Sequence, residues 1–62
     1  MEHNVLVAQA TNGEWYYVVR ARNGRTLSMS ELYVRRGNAV RAARKLGLPV
    51  KERLPDGKVV AL

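Results

Sequence analysis

A chain of 62 residues holds one domain at most, and a domain this small buries only about 60% of the surface its unfolded chain exposes. It has no cysteine and one histidine, His3, which excludes a disulfide and a histidine–cysteine zinc site and leaves self-association as the expected reinforcement. The formal net charge of +6 favours polyanionic partners and also suits simple solubility, while no apolar run approaches the roughly 20 residues of a membrane span.

The start, MEHNVLVAQ, has no basic segment ahead of its apolar stretch and does not read as a signal peptide; a cytoplasmic protein is expected. Val5-Leu6-Val7-Ala8, lying between Asn4 and the turn signal Thr11-Asn12-Gly13, predicts a short strand. Trp15 to Ala21, rich in aromatic and β-branched residues, predicts a second, and Arg25 to Ser30 a third. Between them stands RARNGRT, in which Asn23-Gly24 is a hairpin signal because both residues tolerate left-handed backbone.

Loop length decides which side chains share a face. A two-residue loop sets Val19 opposite Ser28 and Val18 opposite Met29, and each face is then mixed. A three-residue loop, Arg22-Asn23-Gly24 with Gly24 as a bulge, pairs Val19 with Leu27 and Tyr17 with Met29. Trp15, Tyr17, Val19, Leu27 and Met29 then form one apolar face, with Tyr16, Val18, Arg20, Thr26, Ser28 and Ser30 on the other. Because a one-residue slip moves the whole apolar set to the wrong side, the three-residue loop is preferred.

From Arg36 to Leu46 the period changes. Ala39, Val40, Ala43 and Leu46 recur at helical spacing, with Arg41, Arg44 and Lys45 on the opposite arc. Alanine favours helix, and its small side chain lets a helix lie close on a sheet. Gly47 stands where a helix ends, with Pro49 beyond it. Asn38 offers an N-cap only at the cost of a very short helix. A further short strand fits Val50–Leu54, Pro55-Asp56-Gly57 makes a turn, and Val59, Val60 and Leu62 make a final strand. The expected order is βββαβ: an α+β domain with an antiparallel sheet packed on one helix.

These residues resemble the YegP-like family of small bacterial and archaeal domains, whose pattern is an aromatic-rich strand ending in A-x-N-G, then S-E-x-Y, then a helix. Ala21, Asn23, Gly24, Ser30, Glu31 and Tyr33 match, and the likeness runs over about residues 14–46. Val34-Arg35-Arg36 stands where the family usually has a hydroxyl residue and lysine, and GLPVKERL is longer than the usual link to the last strand. The resemblance implies units that form one sheet as a dimer or tandem repeat, with C-terminal strands exchanged. It implies no activity.

The acids Glu2, Glu14, Glu31, Glu52 and Asp56 are scattered, and no histidine or cysteine accompanies them as a nucleophile–base pair. The cluster of Ser30, Glu31 and Tyr33 reads as a bend in which Glu31 satisfies backbone donors. There is no phosphate-loop motif. No catalysis, cofactor, metal or small-molecule substrate is expected.

With Trp15 and Tyr17 in the core, Tyr16 faces away beside Val18 and Arg20. Two binding readings follow for a dimeric, cytoplasmic or phage-type accessory module. In the preferred one, Tyr16 and Val18 anchor an acidic protein partner and the arginines supply charge complementarity. In the alternative, Tyr16, Arg20, Arg22 and Arg25 grip nucleic acid from the sheet, with Arg41, Arg44 and Lys45 as a second basic strip. Charges at hairpin tips also protect sheet edges from unwanted pairing.

Overall fold

The computed structural model describes residues 3–62. Strands β1 (Asn4–Gln9), β2 (Trp15–Arg20) and β3 (Thr26–Met29) are followed by helix α1 (Arg36–Arg44) and strands β4 (Val50–Arg53) and β5 (Val59–Ala61). They form one five-stranded sheet in the order β3-β2-β1-β4-β5. The fold is α+β, as expected, and the optional strand at 50–54 is present.

Three of the four strand pairings are antiparallel, whereas β1 and β4 run parallel, Leu6 beside Lys51. The mixed sheet follows from the chain path. β3 already runs parallel to β1, and a helical crossover returns the chain in the same direction. β1 thus becomes the central strand, and Val5, Leu6, Val7 and Ala8 are all buried. Its unbroken apolar run suits a strand whose side chains are buried on both faces.

Helix α1 packs on β1, β2 and β4. Ala39, Val40 and Ala43 meet Val5, Val7 and Val50 in the core, and Trp15, Tyr17, Val19, Tyr33 and Leu48 pack around them. The indole and its alternate neighbours therefore lie beneath the helix. The helix ends through hydrogen bonds from Leu46 and Gly47 to the carbonyls of Ala43 and Arg44, with Gly47 at φ +74°, a conformation that glycine adopts freely.

The helix begins at Arg36, where the helical period starts. Arg35, not Asn38, is the cap; its backbone is extended and its side chain makes no capping bond. Asn38 instead accepts a hydrogen bond from Arg41 Nη1 at 3.3 Å. The first turn holds no acidic residue to complement the positive end of the helix dipole. The anion comes from β4: Arg36 Nε donates to Glu52 Oε1 at 3.0 Å, and Arg36 Nη2 donates to the same oxygen. This pair ties the first turn to the sheet. The Glu52 carboxylate raises the pKa of the Arg36 guanidinium through that hydrogen bond and its charge.

The β2–β3 hairpin carries one correction. The three-residue loop forms: Ala21 N–H donates to the Arg25 carbonyl, Gly24 N–H donates to the Ala21 carbonyl, and Gly24 has φ +88°. A second irregularity then intervenes. Arg20 pairs with Thr26, but Val19 pairs with Ser28 and Val18 with Met29, so Leu27 is bulged out. The extra residue reverses the alternation. Leu27 and Met29 do not join Trp15, Tyr17 and Val19 under the helix; both are exposed. Ser28, expected opposite the apolar face, has the parity of Val19.

Two measurements check this arrangement. Nuclear Overhauser effects from the Met29 methyl should reach Val18; contacts to Tyr17 instead would restore the register without the second bulge. Arg36→Ala should destabilise the fold by about 1–2 kcal/mol in urea melts, a low figure for a charged hydrogen bond because the guanidinium is half exposed. Arg41→Ala should stay within about 0.5 kcal/mol. Equal costs would show that the pair with Glu52 contributes nothing particular.

Candidate interaction surface

Helix α1 covers one side of the sheet and no element covers the other. Alternation along each strand sorts the side chains. Tyr16, Val18 and Arg20 of β2 point to the open side, since Trp15, Tyr17 and Val19 face the helix. Leu6 and Ala8 of β1 do likewise, and the register Leu6–Lys51 brings Lys51 and Arg53 of β4 beside them. Met29, opposite Val18, completes the set.

Leu6 is only 2% exposed and Ala8 4%, although no helix or strand lies over them. Tyr16 and Arg53, from the two flanking strands, stand beside both of them. The result is two adjoining hollows. One, of about 280 Å³, includes Leu6, Val18, Met29 and Arg20 in its lining, and the other, of about 220 Å³, includes Ala8, Leu54 and Pro55. Tyr16 and Arg53 line both and form the ridge between them.

The hollows have one sign of charge. Arg20 and Arg53 line them, Lys51 shares their side of the sheet, and no carboxylate is in either lining. Glu52 points to the helix side and binds Arg36. Glu14 accepts a hydrogen bond from Asn12 in the β1–β2 turn, and Asp56 accepts the Lys58 N–H in the β4–β5 turn. Glu31 follows β3, and Glu2 lies outside the described residues. Arg20 Nε is tied to Asn4 Oδ1 at 3.3 Å, which holds the guanidinium along the strand.

The residues expected from the sequence fall into three groups. Tyr16, Val18 and Arg20 share the open face, but Val18 is buried and forms floor where a protruding anchor was expected. Arg22 and Arg25 lie in and beside the hairpin loop at one end of the sheet, both exposed, and the Arg25 N–H is held by Asn23 Oδ1 at 3.0 Å. Arg41, Arg44 and Lys45 are exposed on the helix, across the sheet from Tyr16 and Arg20. The two basic strips therefore face opposite ways, and one short ligand cannot touch both. Lys51 and Arg53 were not singled out from the sequence; only the parallel pairing of β4 with β1 brings them to Tyr16.

The Ser30–Glu31–Tyr33 cluster is structural, with a different residue in the central role. The Ser30 hydroxyl, not the Glu31 carboxylate, satisfies the backbone: it accepts the Tyr17 N–H at 2.9 Å and donates to the Glu31 carbonyl at 2.7 Å. Tyr33 exchanges backbone hydrogen bonds with Trp15 at 2.7 Å, and its ring stacks on Tyr17 with centroids 6.4 Å apart. Desolvation, with lesser effects from Tyr17 and Glu31, pushes the Tyr33 phenol above its ordinary pKa. Among the described residues no three of His, Cys, Asp and Glu are grouped to hold a metal ion, and no helix is long and apolar enough to cross a membrane.

The family model of a domain of unknown function, DUF1508, matches residues 10–46. That span takes in β2, β3 and α1, with the Ala21-Arg22-Asn23-Gly24 loop and the Ser30–Tyr33 bend. No curated protein matches the chain, and no solved structure does. The match covers more than half of the 62 residues, and the chain belongs to the YegP-like DUF1508 family.

Proposed function

We propose that the chain is a non-catalytic binding module, acting in the cytoplasm, whose helix-free sheet face takes an acidic segment of a protein partner. The observation that carries this reading is an apolar floor bordered by Arg20, Lys51 and Arg53, with no carboxylate in the lining of either hollow. An apolar floor rewards side chains that leave water, at about 25 cal/mol per Å². Guanidinium groups beside it accept carboxylates in a planar, two-point geometry. A segment with two apolar side chains and flanking acids fits both features: one anchor enters each hollow, and an acid meets Arg53 on the ridge. Tyr16 supplies a rigid aromatic contact at the centre, the position from which hot-spot residues act.

A second reading is nucleic-acid binding, supported by Arg22 and Arg25, which extend the positive rim beyond the end of the sheet. The floor weighs against it. Leu6, Ala8, Val18 and Met29 offer base edges no hydrogen bond, whereas sequence readout from a sheet needs polar side chains there. Arg41, Arg44 and Lys45 serve as a solvated face in either reading.

The test is fluorescence anisotropy with a synthetic peptide rich in glutamate and carrying two leucines. Tyr16→Ala and Arg53→Ala should each weaken binding at least about tenfold, and Arg44→Ala should change it less than about twofold. Unchanged binding in the first two variants would remove the face from the account. A parallel titration with duplex DNA decides the alternative. Three sheet cations on phosphates predict a log–log salt slope near −2.7, at about −0.9 per contact. Such a slope, with tighter binding than the peptide and sensitivity to Arg20→Ala and Arg25→Ala, would favour nucleic acid.

A further inference from the structure

Helix α1 carries a hollow of its own, of about 320 Å³, lined by Arg36, Gly37, Val40, Arg41 and Arg44. Helical spacing sets its plan. At 3.6 residues per turn, Gly37 and Arg44 fall on one line along the helix, with Arg36 to one side and Arg41 to the other. Side chains on a helix lean toward its N-terminus, so Arg41 and Arg44 reach back toward Gly37. Arg41 shows the lean: its Nη1 donates to Asn38 Oδ1, in the preceding turn, at 3.3 Å.

The fold does not require glycine at position 37. Gly37 is not among the glycines of positive φ, and a Cβ built there would meet no neighbouring heavy atom within 4 Å. Alanine would strengthen the helix. What glycine provides is open space between three guanidinium groups. Those groups lack anions. Among the described residues the one salt bridge joins Arg36 to Glu52, through Arg36 Nε and Nη2. It leaves Arg36 Nη1, Arg41 and Arg44 without a carboxylate, and no carboxylate lines the hollow. Arg41 also repels Arg44 and Lys45, its like-charged neighbours one turn on.

We propose that Arg36, Arg41 and Arg44 hold a phosphoryl dianion, free or carried as a monoester, in the space over Gly37. Guanidinium groups grip phosphate oxygens through paired N–H donors. Three of them around one gap favour a compact ligand with two negative charges over a carboxylate with one. The grip is made by side chains, and the anion relieves the repulsion among them. This site stands on the opposite side of the sheet from the acidic-peptide face and takes a different ligand. It is independent of that reading.

Titration of the full chain with inorganic phosphate at neutral pH, followed by backbone amide and arginine Nε–H shifts, tests it. Binding should saturate with a Kd no weaker than about 1 mM, the shifts centred on Gly37 and Arg44. Arg44→Gln should weaken it at least about fivefold, and Lys58→Gln, which removes the same charge from an exposed turn, less than about twofold. Gly37→Leu fills the hollow without changing the charge; it should also cost at least about fivefold, with the circular dichroism of the parent. Acetate and dimethyl phosphate, singly charged, should bind at least about fivefold more weakly than phosphate. Affinity for glycerol phosphate should fall as the pH drops below about 6, where the monoester gains a proton and the arginines keep their charge. Tighter binding of glycerol phosphate than of inorganic phosphate would support a carried phosphoryl group, and the reverse free phosphate. Absence of saturation, equal losses in Arg44→Gln and Lys58→Gln, or full affinity in a folded Gly37→Leu variant would overturn the proposal.

Discussion

One short helix must cover a sheet wider than itself. Five strands spaced about 4.8 Å apart span about 19 Å, and a helix with its side chains is about 10–12 Å across. The nine residues of α1 therefore seal only the middle of one side. Ala39 and Ala43, fully buried against the sheet, let the helix sit close enough to exclude water from Val5 and Val7. A whole sheet face and both edges lie beyond its reach.

Strand β4 links this constraint to function. Its alternation sends Val50 and Glu52 toward the helix and Lys51 and Arg53 toward the open face. Inside, Glu52 supplies the anion that the acid-free first turn of the helix lacks, through Arg36. Outside, Lys51 and Arg53 bring positive charge beside Leu6 and Ala8. Acid and base could not be interchanged along this strand. A carboxylate at position 53 would neutralise the rim, and a cation at 52 would stand beside Arg36.

Much of the fold was legible in the residues. The alternation in WYYVVR placed Trp15 under the helix and Tyr16 opposite it, and the 3–4 spacing of Ala39, Val40 and Ala43 marked the buried stripe. Asn23-Gly24 marked the loop with its bulge. Position 27 was illegible because the second bulge leaves no local signature. Leu27 and Met29 are apolar and suited a buried face, and only the pairing shows them exposed. The face-sharing of Lys51 and Arg53 with Tyr16 was hidden for another reason. It depends on a parallel contact between strands more than forty residues apart, and VKER alternates apolar with acid on its inner side. The unbroken Val5–Ala8 run did carry a signal that β1 is central, since an edge or half-covered strand has no use for four consecutive apolar residues. The residues left the helix cap open because the compensating charge is supplied in space, from Glu52, and not in sequence.

The central claim is that the working surface is the side of the sheet away from the helix. Backbone amide chemical shifts, followed during addition of the two-leucine acidic peptide, map that surface residue by residue. The account predicts that the largest changes fall on Leu6, Ala8, Tyr16, Val18, Lys51 and Arg53, with residues 38–45 nearly still. Changes confined to the helix arginines, with the sheet face silent, would contradict it.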